Sequence, residues 1–188
     1  MSEREAAFAR AFAYLHHNAI AGDVVELGVH RGESLATLAK LAQGREVYGV
    51  DSFQGLPEPS ERDSGQFKGG QFKAGVDQVR AYLTAQGAGR ASLVEGFFAD
   101  CPKFAEPVAL VHLDCDLYQS ALDGLALVDP VDGAVVLIDD WYCHRARPDM
   151  GVRRGWTEWL RETGRSASWF DRYGWHGSAW VVHREGTA

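Results

Sequence analysis

Paired cysteine is missing from this chain. Cys101, Cys115 and Cys143 are the only three cysteines in 188 residues, and no two of them stand at C-x-x-C spacing. A disulfide framework and a thiolate zinc site are therefore not expected, and a reducing, cytoplasmic setting is. A basic surplus is missing as well: the formal net charge is -7. Non-specific nucleic-acid binding needs a cationic footprint, so a nucleic-acid partner is not expected. No apolar run approaches the ~20 residues that cross a bilayer, which argues against a membrane partner. The opening Met1-Ser-Glu-Arg-Glu5 lacks the basic-then-apolar layout of a secretory signal. Internal repeats, low-complexity tracts and linkers are absent too. What remains is ordinary globular composition, 46% hydrophobic and 24% charged. Residues 1–188 suit one domain, long enough to bury a full core without disulfide or metal staples.

The apolar pattern alternates between two periods. Phe8, Phe12 and Leu15 predict a helix over 3–18, within an N-terminal segment 1–21. Helical spacing returns over 34–41, 76–86, 119–128 and 151–162. Between these lie short apolar runs at 24–27, 46–50, 91–95, 108–113 and 133–138, which predict buried parallel strands. Pro130 and Gly133 are read as the turn into the last of these. Two late runs, 168–170 and 178–182, predict a hairpin that adds an antiparallel strand to an otherwise parallel sheet. The fold class expected is α/β. Residues 57–75, rich in Pro, Gly, Ser and charge with Phe67 and Phe72 inside, read as a lid or substrate loop, or as a plain solvated loop.

Two strand ends carry the chemistry. The run Val108-Ala-Leu-Val-His-Leu113 breaks into Asp114-Cys115-Asp116, and Gly133-Ala-Val-Val-Leu-Ile138 ends in Asp139-Asp140. In open α/β sheets ligands gather outside the carboxyl ends of the strands. Carboxylates brought together there repel one another unless a cation, a proton or strong donors intervene. Asp114, Asp139 and Asp140 offer hard oxygen ligands, suited to magnesium, calcium or manganese. Asp116, two residues past Asp114, is placed on the same side of an extending strand, where it could accept a proton. The plainer reading is that Asp116 or Asp139 caps the following helix. His144, in the aromatic loop after Asp140, is a further residue to watch.

A second constellation precedes these. The turn Gly28-Val-His-Arg-Gly32-Glu-Ser34 joins the first strand to a helix whose first N–H groups are unpaired. Its glycines are four apart, so the G-x-G-x-x-G pyrophosphate fingerprint is absent and a nucleoside without phosphates is favoured. Asp51, at the end of the second strand, stands where nucleotide folds bind ribose hydroxyls. Gly96-Phe97-Phe98, at a third strand end, could flank an adenine or be core. On the residues alone, a metal-dependent glycosyltransferase using a nucleotide sugar and a non-catalytic cofactor-binding module remain open alternatives to a transferase built on a nucleoside cofactor.

The ordered set Val25-Glu-Leu-Gly-Val-His-Arg-Gly-Glu-Ser34, Asp51-Ser-Phe-Gln-Gly-Leu-Pro57, His112-Leu-Asp-Cys-Asp-Leu-Tyr118 and Ile138-Asp-Asp-Trp141 resembles the macrocin O-methyltransferase family, as does the closing Trp175-His-Gly-Ser-Ala-Trp180. The resemblance implies a Rossmann-like class I methyltransferase fold, with a mostly parallel seven-stranded sheet and helices on both faces. It implies magnesium-dependent methyl transfer from S-adenosyl-L-methionine to a hydroxyl of a small, sugar-bearing natural product, as in antibiotic biosynthesis. It further implies that Glu26, Gly28, Gly32 and Ser34 cradle the methionine end of the cofactor. Asp51 would take the ribose, with Ser52, Phe53, Gly96 and Phe97 near ribose and adenine. Asp114, Asp139 and Asp140 would hold Mg2+, and Asp116 would be the general base. Three departures stand out: His30 replaces a common tryptophan, Cys115 a common glycine, and a single helix precedes the first strand. The substrate would then lie in a more open cleft, or be covered by the 57–75 loop or by a second copy in a homo-oligomer.

Overall fold

Every residue of Val108–Leu113 is buried, as a strand must be when both of its faces are covered. A computed structural model, describing residues 1–63 and 65–184, shows what covers it. The strands are β1 (Asp23–Leu27), β2 (Val47–Asp51), β3 (Ser92–Glu95), β4 (Val108–Leu113), β5 (Pro130–Ile138), β6 (Arg165–Tyr173) and β7 (Gly177–Arg184). The helices are α1 (Glu3–His17), α2 (Glu33–Leu41), α3 (Val76–Ala85), α4 (Tyr118–Leu125) and α5 (Gly151–Thr163). One seven-stranded sheet has the order β3-β2-β1-β4-β5-β7-β6, and β7 alone runs against its neighbours. This is the expected Rossmann-like methyltransferase architecture.

Strand alternation divides the core into two layers. Val24, Val135, Leu137 and Val181 face one side, where Phe8, Phe12, Leu35, Leu38 and Leu83 of α1, α2 and α3 cover them. Val25, Val136, Ile138 and Val182 face the other, under Leu125 of α4 and Trp156 and Trp159 of α5. Each large apolar side chain so buried contributes about 1.5–3 kcal/mol.

The differences from the sequence pattern lie at element ends. Pro130 opens β5 instead of turning the chain, as a residue without an N–H can at the first position of a strand. Gly133, at φ 81°, sits inside β5, next to a register shift against β4. β6 and β7 run nine and eight residues, well beyond the short apolar runs, and β6 exposes Ser166, Ser168, Trp169 and Arg172 among its partly buried residues. α4 stops at Leu125, short of the expected 128, when Ala126 and Leu127 fold back onto Leu122 and Gly124.

The segment 57–75 is tied down at several points. Leu56 N–H donates to Gln71 O at 2.8 Å, and Gly70 N–H donates to Leu56 O at 2.8 Å. Asp63, 1% exposed, accepts from Ser60 N–H (2.9 Å) and from Tyr118 N–H (2.7 Å), the first residue of α4. A loop residue thus caps a helix that its own flanking residue, Leu117, leaves uncapped. Among the described residues, no helix is long and apolar enough to cross a membrane.

Candidate functional site

The sheet order reverses between β1 and β4, and a cleft of about 610 Å³ opens over the carboxyl ends of β1, β2 and β4. Such a switch point is where α/β folds bind ligands, and the volume is that of a cofactor site. Gly28, Ser34, Asp51, Ser52, Gly96, Phe97, Asp114, Asp116, Asp139 and Asp140 all line it. The two constellations read from the sequence therefore meet in one place.

Gly28 sits where they touch. Its φ is 98°, and a Cβ there would lie 1.8 Å from the carbonyl oxygen of Asp114. Only glycine lets the β1 turn pass that close to the end of β4. The following helix α2 begins without a side-chain cap, and Glu33 and Ser34 of its first turn line the cleft. Asp51 organises this turn: its Oδ2 accepts from Val29 and His30 N–H, both at 2.8 Å, and its Oδ1 from Phe53 N–H at 2.7 Å. Oδ2 is thereby filled, and Oδ1 keeps one lone pair for a further donor. Gly32 and Phe53, expected beside the cofactor, do not line the cleft: Gly32 packs toward Val79, and Phe53 is buried among core residues.

Glu26, expected beside the cofactor, lies outside the cleft lining. It is fully buried below the cleft and pairs with His112, whose Nδ1 lies 2.7 Å from Glu26 Oε1. Its other oxygen, Oε2, is buried with no hydrogen-bond partner among the described residues. The opposite nitrogen of His112, Nε2, faces Asp139 Oδ1 at 3.4 Å, and the Tyr173 hydroxyl donates to the same oxygen at 2.5 Å. Burial alone would lower the His112 pKa, but the hydrogen bonds with Asp139 and Glu26 outweigh it and raise the group to about 10. Asp139, although buried, is held below the usual carboxylate range by His112 and then Arg4. A buried row Glu26–His112–Asp139–Tyr173 thus fixes the rotamer of Asp139.

Asp139 Oδ2 and Asp114 Oδ2 turn toward each other. One nitrogen, Arg4 Nη1, lies 3.1 Å from the first and 3.2 Å from the second. His112, Asp114 and Asp139 each offer an atom within 4.8 Å of the others, the spacing of a metal site. Both His112 nitrogens are already engaged by carboxylates, so the hard oxygens are the donors left for an ion. Burial, and then the charge of Asp139, push Asp114 well above its ordinary range. Burial, followed by the charges of Asp140 and Asp114, pushes Asp116 up to about 9. Four carboxylates in this space cannot all be ionised without added positive charge. That demand, with all-oxygen donors, fits a hard divalent cation.

The strand argument for Asp116 does not hold. β4 ends at Leu113, so Asp114 and Asp116 are not alternate residues of a strand. They are brought together by a tight turn: Leu117 N–H donates to Cys115 O at 2.6 Å across Asp116, whose φ is 63°. Asp140 also has a left-handed backbone, with φ 58°, and accepts the Cys143 thiol at 3.1 Å. Non-glycine residues hold such angles only where the surroundings enforce them, and they concentrate at functional sites. Asp116 does not cap α4, the task Asp63 performs, and α5, the next α-helix after Asp139, follows Met150 without a side-chain cap. His144 lies outside the cleft lining, its ring edge-on to Phe67 at 6.0 Å between centroids.

Arg4, His112, Tyr173 and Asp63 escaped the sequence reading. One signal was present for His112: a polar residue inside a fully buried strand must have a partner.

The model of the family described as Macrocin-O-methyltransferase (TylF) matches residues 2–172 of the chain. Among solved structures, the chain is similar to the O-methyltransferase NovP, with TM-score 0.81 and 20% identity over 97% of this chain and 80% of that one. It is also similar to CalS11, a calicheamicin methyltransferase, with TM-score 0.73 and 19% identity over 97% of this chain and 78% of that one. No curated protein compared with the chain matches it.

Proposed function

The chain belongs to the macrocin O-methyltransferase family and is an S-adenosylmethionine-dependent O-methyltransferase; from that premise we propose that its acceptor is a hydroxyl of a sugar-bearing natural product, activated in a magnesium-dependent site. The nucleotide-sugar and non-catalytic readings fall with the family membership. The observation that carries the proposal is the contact of Gly28 with the Asp114 carbonyl, which joins the cofactor turn to the acidic cluster within one cleft.

S-adenosylmethionine supplies an already electrophilic methyl group, and a divalent cation supplies a Lewis acid that lowers the pKa of a hydroxyl. The protein's share is alignment and proton removal. The Gly28 turn and the first turn of α2 hold the methionine end, and Asp51 the ribose. Ser52, Gly96 and Phe97 lie along the nucleoside. Asp114, Asp139 and Asp140 would hold the cation through carboxylate oxygens. Asp116 takes the acceptor's proton on its carboxylate. Its left-handed turn places it at the cleft beside Asp140, and a cation held there would lower its raised pKa. Residues 57–75 contribute to the acceptor side: Pro57, Glu58, Ser60 and Phe72 of this segment line the cleft.

Asp116→Asn tests the base. The variant keeps S-adenosylhomocysteine and Mn2+ affinity within about twofold while methyl transfer falls by roughly 10²–10⁴, the usual contribution of a positioned base. Turnover near that of wild type, with a hydroxylated acceptor in a radiolabelled transfer assay, removes Asp116 from the role.

A further inference from the structure

We propose that Arg4 is a resident cation that competes with the divalent ion for Asp114 and Asp139, so that α1 sets the metal affinity of the site. The proposal rests on the metal-dependent reading above. Arg4 Nη1 bridges the two Oδ2 atoms at 3.2 and 3.1 Å. These are the oxygens a metal needs. Asp139 Oδ1 is already filled by the Tyr173 hydroxyl and His112, so Oδ2 is what that residue has left for a cation.

Arg4 is also held in place. It sits in the first turn of α1, which is fixed by a reciprocal cap. Ser2 Oγ accepts from Glu5 N–H at 3.2 Å, and Glu5 Oε2 accepts from Ser2 N–H at 2.6 Å. One turn further along the same face, Phe8 is fully buried and meets the His112 ring edge-on, with 4.9 Å between centroids. The helix therefore covers the row that orients Asp139 and, from the same face, sends a guanidinium to the oxygens that row presents. The side chain of Arg4 is 35% exposed and that of Asp139 5% exposed, so water screens the pair weakly. A guanidinium and a divalent ion sharing these two oxygens repel each other at contact range. Metal entry thus requires the Arg4 head group to withdraw along its flexible stem, and without metal it keeps the carboxylates together.

Mn2+ binding to the full chain, measured by titration calorimetry or electron paramagnetic resonance without acceptor, tests this. Arg4→Met keeps the stem and the helix but removes the charge. It should bind Mn2+ about tenfold more tightly than wild type, within the usual range of coupling between two sites. Its metal-free melting temperature should be lower than wild type, and saturating Mn2+ should close the gap. Arg4→Lys retains a positive charge on the same face and should stay within about threefold of wild type. Equal or weaker Mn2+ affinity in Arg4→Met overturns the competition while leaving the metal site standing. Tenfold tightening in Arg4→Lys overturns it too, since charge is then not the cause. No Mn2+ binding to any of the three proteins overturns the metal-dependent reading itself and the competition with it.

Discussion

His112 shows how a single side chain decides what its neighbours can do. Its pKa is raised to about 10 by two flanking carboxylates, against an ordinary value of 6.5. The sign of the linkage follows: the stabilisation is complete below pH 6.5 and is lost as pH rises through about 10. Asp116, raised to about 9 from 3.8, acts in the same direction, because the folded chain holds a proton there that the unfolded chain has released. Asp139 has the opposite sign, its contribution fading only as pH falls below the ordinary carboxylate value. Metal-free melting temperatures should therefore decline from pH 6.5 to 10, and the gap between wild type and His112→Gln should narrow over that interval. A gap that widens toward pH 10 would contradict a protonated His112. The sequence displayed the aspartates because they interrupt apolar runs, a local event. The groups that orient them were hidden, since Glu26 and His112 stand 86 residues apart and Arg4 and Asp139 stand 135 apart. Such partners meet only through strand order, which a single sequence read locally does not supply.

At the level of elements, the β1–α2 turn is the most demanding piece of backbone in the site. Any Cβ at residue 28 meets the Asp114 carbonyl at 1.8 Å, and the φ of 98° disfavours side chains on its own account. Gly28→Ala must either move the turn or push the end of β4, and with it Asp114. A loss of about 2–4 kcal/mol in urea unfolding is expected, together with at least a tenfold loss of S-adenosylhomocysteine affinity. An alanine variant with wild-type stability would show that the turn relaxes freely. That turn was readable because glycines bracket it and a strand and helix flank it. β4 and the parallel part of β5 were readable because burial on both faces leaves a continuous apolar run. β6 was underestimated because an edge strand exposes part of its length, such as Trp169 at 58%, and its serines and arginines imitate a loop. The segment 57–75 had a loop's composition and still carries a buried cap, Asp63, for a helix it does not adjoin in sequence. Composition marks backbone conformation more reliably than it marks anchorage.

The whole molecule assembles one cleft from two halves contributed by distant stretches of chain: the half proposed for the cofactor from residues 28–31, 33–34, 51–52 and 96–97, the acidic half from 114–116 and 139–140. Because these halves are strand ends of a single sheet, a ligand that fills the cofactor half braces the sheet edge as a unit. A ligand that binds only the folded state stabilises it by about 2.7 kcal/mol when present at a hundredfold excess over its Kd. For a domain of this size, each kcal/mol raises the melting temperature by about 2–4 °C. S-adenosylhomocysteine at that excess should therefore raise it by roughly 5–10 °C. A nucleotide diphosphate sugar should leave it unchanged, because the Gly28–Gly32 turn lacks the glycine spacing that brings backbone N–H groups around a pyrophosphate. The two ligands are measured side by side with and without Mn2+, since a metal-bound diphosphate could use the acidic half alone. Stabilisation by the nucleotide sugar in preference to S-adenosylhomocysteine would mean that the acidic half, and not the turn, selects the ligand, and the assignment of the cleft to a nucleoside cofactor would fall.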